Sequence, residues 1–205
     1  MVKISFFLAC ACLLFPYLLM AAEENPYALQ EGDIVFSSSS QGQGKAIMDA
    51  TGSIYTHCGI VQLMDGQPVV LEAVQPVRLT PLATFISHSD PGTFTAKRLK
   101  AALSPEYYQN AKAWAISQVG KNYDDQFRWD DQRMYCSELV WKIYQKAGVQ
   151  LCDLKKFADY SLEQPEVRKV IEQRYGSISN VPTDENVVAP GDLAASPLLT
   201  EAPRR

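Results

Sequence analysis

The chain has 205 residues, 47% of them hydrophobic, enough for one sizeable core and pointing to one domain. Its 19 Lys and Arg against 23 Asp and Glu leave a net charge of −4, and no Lys/Arg block exists to grip a phosphate backbone, which argues against nucleic-acid binding. Five cysteines are too few and too odd a count for a disulfide scaffold, and no Cys-x-x-Cys pair suggests a structural zinc site.

Residues 1–22 read as a secretory signal peptide. Lys3 precedes an apolar run from Ile4 to Met20, broken only by Ser5 and Pro16, and the small residues Ala21-Ala22 stand before Glu23-Glu24. Pro16 and those small residues favour cleavage over a retained membrane anchor, for which the run is near the lower limit of length. Cys10 and Cys12 lie in this leader; a lipoprotein acylated at Cys12 competes with the signal-peptide reading, but the apolar run continues past it. The expectation is an exported protein, periplasmic or secreted, with a domain over 23–190.

Gly32 to Phe36 opens a strand, and the polar Ser37 to Ser40 loop leads into a short helix over Lys45 to Ala50. His57 to Met64 and Gln67 to Val74 are β-branched-rich runs separated by Asp65-Gly66, the dipeptide of a two-residue type I′ hairpin. Another strand covers Phe94 to Leu99. Ser104-Pro105-Glu106 starts a helix, with Ser as N-cap and Pro in the first turn, which Gly120 closes. Residues 121–134 are a polar and aromatic loop. A further helix runs from Cys136 to Ala147, with Leu139, Val140 and Ile143 on one stripe and Gly148 as its stop. The weakly periodic chain beyond Gly176 reads as extended, with 191–205 as a C-terminal tail. Strands first and helices later predict an α+β fold, an antiparallel sheet packed on the helix that begins at Cys136.

The two-residue turn sets a register in which Met64 faces Gln67, Gly59 faces Glu72 and His57 faces Val74. His57, Gly59 and Glu72 then share one face of the sheet. His57 and Glu72 become diagonal neighbours, roughly 7–8 Å apart at the backbone, and Gly59 leaves the space between them open. A carboxylate so placed holds one ring nitrogen protonated and leaves the other free as a base. A surface cross-strand His/Glu pair would give the same pattern, and a three-residue loop would put the two on opposite faces.

Cys136 is the candidate nucleophile. It sits in Tyr135-Cys136-Ser137-Glu138 at the first turn of a helix, where free backbone N–H groups and the helix dipole favour an anion and lower a thiol pKa. Its own N–H faces the position of an oxyanion formed in acyl transfer; a small buried hydrophobe is the competing reading. Tyr135 and Tyr55, neighbours in sequence of the proposed nucleophile and base, are candidates for the oxyanion site or cleft. Cys58 points to the sheet face opposite His57 and reads as packing or as a bridge partner for Cys152. His88 lies in a turn-rich, solvated loop. Two histidines without ligand spacing argue against a metal, and no cofactor is expected. Tyr123, Phe127 and Trp129 either line a cleft or pack.

At these residues the chain resembles the circularly permuted papain-like cysteine hydrolases of the NlpC superfamily, most closely the YiiX/YaeF-like branch. The resemblance rests on Gly32-Asp33-Ile34-Val35-Phe36, His57-Cys58-Gly59-Ile60-Val61, Leu71-Glu72-Ala73-Val74, Gly120-Lys121-Asn122-Tyr123-Asp124 and Tyr135-Cys136-Ser137-Glu138-Leu139-Val140. It covers roughly residues 29–190. It implies a papain-like α+β fold and a triad of Cys136 as nucleophile, His57 as base and Glu72 as orienting carboxylate. It also implies a peptide, amide or lipid-linked acyl substrate: cleavage of an amide, as in cell-wall peptides, or acyl transfer and ester cleavage on lipids. A non-catalytic binding module on the same fold is the third reading. The absence of a basic amphipathic helix argues against work at a membrane surface.

Overall fold

Asp65 and Gly66 both take positive φ, 50° and 76°, as a type I′ turn demands. The strands they join, β2 (His57–Met64) and β3 (Gln67–Glu72), pair in the expected register, Met64 opposite Gln67 and Ile60 opposite Leu71. The computed structural model describes residues 25–205; the expected leader, with Cys10 and Cys12, lies outside the described residues.

Around this hairpin stand β1 (Ile34–Ser37), β4 (Arg78–Pro81), β5 (Thr95–Leu99), two two-residue strands β6 (Lys155–Lys156) and β7 (Asn186–Val187), and β8 (Leu199–Glu201). The main sheet is antiparallel in the order β4-β3-β2-β1-β5-β8, while β6 and β7 pair with each other. The helices are α1 (Gly42–Thr51), α2 (Leu82–Ser87), α3 (Pro105–Ser117), α4 (Cys136–Lys146), α5 (Pro165–Tyr175) and α6 (Pro190–Ala194).

Both faces of the sheet are buried, and the strands divide their side chains by the period of two. Ile34, Phe36, Cys58, Ile60 and Leu71 meet α3 and α4 on one side. Val35, Val61, Val70 and Ala96 meet Leu82, Phe85 and Ile86 of α2 on the other. A third cluster joins Ala46 of α1 to Val167 and Ile171 of α5. The start of α3 is capped as its sequence demands, the Ser104 hydroxyl accepting the Tyr107 N–H. The Gly32-Asp33 piece also has a structural task. Asp33, fully buried, receives two bonds from the Arg98 guanidinium, at 2.7 and 2.8 Å, and one from the Gln30 N–H.

The structure corrects the tail. Within 191–205, β8 is the sixth strand of the main sheet, pairing Leu199 with Leu99, and Leu199 and Ala202 are buried. Three residues are too few to carry a readable period; the strand exists because β5 offers it an edge. Beyond it Arg204 bridges Tyr27, and the Ala28 N–H donates to the Pro203 carbonyl, so both ends of the described chain lie side by side.

Candidate active site

His57 opens β2 and Glu72 closes β3, so the hairpin register brings them together. His57 Nε2 lies 2.6 Å from Glu72 Oε2. The other carboxylate oxygen accepts the Thr80 hydroxyl at 2.5 Å, and Arg78 Nε stands 3.8 Å from it. Burial works against the Glu72 charge, but His57, then Thr80 and Arg78, outweigh it and hold the carboxyl below its usual range. The imidazole stacks on Phe85 of α2, ring centroids 5.6 Å apart, which fixes the ring plane.

With His57 Nε2 on Glu72, the ring also acts on Cys136, by charge and hydrogen bonding that shift both groups. Burial disfavours the imidazolium; the Cys136 thiolate and Glu72 overcome it and raise His57 to about 10. Cys136 moves the opposite way, well below a free thiol. The largest cause is a hydrogen bond from the Cys58 thiol; burial opposes it, and the charge and hydrogen bond of His57 reinforce it. The two opposite shifts favour a thiolate beside an imidazolium.

The first turn of α4 is clamped from outside the helix. The Ser137 hydroxyl donates to the Val188 carbonyl at 2.7 Å, and the Val188 N–H donates to the Tyr135 hydroxyl at 3.2 Å. Glu138 accepts the Tyr135 N–H at 3.3 Å and the Lys142 ammonium at 2.8 Å. Burial nevertheless raises Glu138 to about 8.

Cys136 lines a cavity whose empty space, together with the open solvent at its mouth, is about 800 Å³. Its walls are mainly apolar: Ile47 from α1, Phe127 from the 121–134 loop, Phe157, and Val167, Ile171 and Tyr175 from α5. Arg174 contributes its one guanidinium, already donating to Gln43 and to the Asp125 carbonyl and lying over the Phe127 ring.

Of the sequence candidates, Cys136, His57 and Glu72 come together. Tyr135 and Tyr123 line the cavity, Tyr135 with its hydroxyl occupied by Val188. Tyr55 instead packs on Phe36, ring centroids 5.2 Å apart, and is not among the residues lining the cavity. Cys58 faces α4, as strand alternation requires, but that side holds Cys136, in the same core cluster, and the two thiols shift each other's pKa. Cys58 and Cys152 are both free thiols, so the bridge considered for them is not formed. Thr80, Arg78 and Phe85 are additions. The β4 strand that carries Thr80 is four residues long, ends in proline and gives no readable alternation.

The permuted papain-like amidase enzyme family of the YaeF/YiiX type, C92, matches residues 28–201. The YiiX protein of Escherichia coli (strain K12) is 39% identical over 189 residues, covering 92% of this chain and 93% of YiiX. A crystal structure of YiiX from Escherichia coli O157:H7, there described as a metalloprotein, superposes with a TM-score of 0.79 at 40% identity, covering 86% of this chain and 97% of that one. Among the described residues here, no group of three or more His, Cys, Asp or Glu is placed to hold a metal ion. Matched from β1 to β8 and built as the expected α+β, permuted papain-like fold, the chain belongs to the YaeF/YiiX, C92 family of papain-like amidases.

Proposed function

We propose that the protein is an exported thiol hydrolase that cleaves an amide bearing an apolar chain, with Cys136 as nucleophile, His57 as acid and base, and Glu72 as the orienting carboxylate. The observation that carries this reading is the chain of contacts from the Cys136 sulfur through the His57 ring to Glu72. The thiolate attacks the amide carbonyl carbon, and the Cys136 N–H at the start of α4 is one donor to the developing oxyanion. The His57 imidazolium gives its proton to the leaving amine. Neutral His57 then takes a proton from water, which releases the acid from the thioester and restores the thiolate.

The apolar cavity supports the choice of substrate. A cell-wall peptide needs polar partners along its backbone, whereas these walls offer mainly hydrocarbon and aromatic surface, which favours a lipid-linked amide. The same walls favour a second reading, cleavage or transfer of a lipid ester by the same triad. The residue 1–22 leader supports export, to the periplasm or beyond the cell.

The test compares long-chain N-acyl amides, the matching esters and cell-wall peptides as substrates, with the wild type beside Cys136→Ala. Turnover of N-acyl amides, and its loss in the variant, is the expected result. Faster turnover of the peptides overturns the substrate class, and full labelling of the Cys136→Ala protein by an acyl-directed thiol probe overturns the nucleophile.

A further inference from the structure

The proposed reaction leaves one thiol unused. Cys58 is fully buried and free, on the face of β2 that packs against α4, in the same core cluster as Cys136. Cys58 packs where β2 meets α4, and its side chain and backbone N–H stand near enough to the Cys136 sulfur to lower that thiol's pKa. The two residues come from different elements, 78 positions apart in the chain, and share the core cluster where β2 packs against the head of the nucleophile helix.

We propose that Cys58 and Cys136 are an oxidisable thiol pair, in which peroxide converts Cys136 to a sulfenic acid and Cys58 closes it into a disulfide that switches the site off. The inference rests on the Cys136 thiolate of the function proposed above. The thiolate attacks one oxygen of hydrogen peroxide, the O–O bond breaks, and Cys136–SOH and hydroxide form. The Cys58 sulfur then attacks the sulfenic sulfur, the S–O bond breaks, and the departing hydroxide leaves as water with the Cys58 proton. The His57 imidazolium protonates the hydroxide of the first step, so peroxide is reduced to two waters while the thiolate and the thiol together lose two electrons.

The two sulfurs have unequal roles. Cys136 lines the cavity and is the anion, so peroxide reaches and oxidises it first. Cys58 is closed off from solvent and its thiol is held protonated by burial and by the neighbouring thiolate, so it waits as the resolving partner. Both thiols lie in one core cluster, and closing the bridge brings the two sulfurs to the ~2.05 Å of an S–S bond. A disulfide there consumes the nucleophile and removes the negative charge facing His57, yet it protects Cys136 from the sulfinic acid that would end its use.

The test treats the full-length protein with hydrogen peroxide and maps its cysteine peptides by mass spectrometry. A Cys58–Cys136 linked peptide is expected, with labelling of Cys136 by a thiol reagent down about tenfold and restored by dithiothreitol. In Cys58→Ser, Cys136 goes on to sulfinic acid and dithiothreitol restores nothing. Cys152→Ser keeps the linked peptide. Sulfinic acid on Cys136 in the wild type without a linked peptide overturns the pair, as does full recovery by dithiothreitol in Cys58→Ser. A linked peptide in a protein that hydrolyses no amide supports the pair while rejecting the proposed function; hydrolysis with both thiols left reduced by peroxide does the reverse.

Discussion

The Thr80 hydroxyl takes the Glu72 oxygen that His57 does not use, so the carboxylate is gripped at both ends, at 2.5 and 2.6 Å. Thr80 thereby positions His57 without touching the reacting atoms. A hydrogen bond to a charged group contributes about 1.5–3 kcal/mol, so Thr80→Val lowers kcat/KM about 10- to 100-fold. Thr80→Ser restores it. The alkaline limb of the rate profile moves to lower pH in the Val variant, because a loosened Glu72 holds the imidazolium less well; a lost rate with an unmoved limb would argue for misfolding instead.

Gly59 keeps open the space across which Glu72 reaches His57. A Cβ there would sit 2.4 Å from Val70 Cγ1, 2.9 Å from the Leu71 carbonyl oxygen and 3.3 Å from Glu72 Cβ. Gly59→Ala must therefore push β3 and displace the carboxylate. Overpacking costs about 1–3 kcal/mol, and urea unfolding is expected to register it together with a fall in kcat.

The ion pair has a characteristic dependence of stability on pH. On the proposed ion pair the folded chain holds thiolate and imidazolium, whereas the unfolded chain holds thiol and neutral imidazole between their ordinary values of 6.5 and 9.0. Both states then bind the same number of protons, so the pair gives no slope across that window. Below 6.5 the unfolded His57 gains a proton while the folded pair does not, and stability falls as pH drops. Above 9.0 the unfolded thiol ionises while folded His57 keeps its proton to about 10, and stability falls as pH rises. Unfolding free energies of the wild type, taken relative to the Cys136→Ala/His57→Ala double variant, should trace this plateau with two descending flanks. A steady slope across it contradicts the pair.

Arg98 neutralises the fully buried Asp33 through two short bonds. Arg98→Met leaves that carboxylate buried without its charge partner, and such losses cost about 3–5 kcal/mol. Denaturant unfolding should show a lower midpoint with an unchanged slope.

The residues that meet at the site differ in how readable they are from sequence. His57 and Glu72 are legible because Asp65-Gly66 dictates a turn type, the turn dictates register, and register decides the sheet face. Cys136 is legible because a helix start has its own chemistry. The contact between these two groups is not local: it depends on how α4 lies across β2, and no period within either element encodes that. For the same reason Cys58 reads as bystander packing, since alternation gives its face correctly but not what stands opposite. Thr80 and β8 are hidden by brevity, each on a strand of four residues or fewer whose existence depends on a neighbour's free edge.

The bridge between Tyr27 and Arg204 brings the beginning and end of the fold to one place. A short peptide could join them, and a cut in an exposed turn elsewhere would leave every sheet pairing as it is. Topologically the domain is a closed ring, opened at one of several equivalent points. That this chain reaches its base before its nucleophile is then a matter of where the ring is cut, since His57 and Cys136 meet at the same spot whichever is made first.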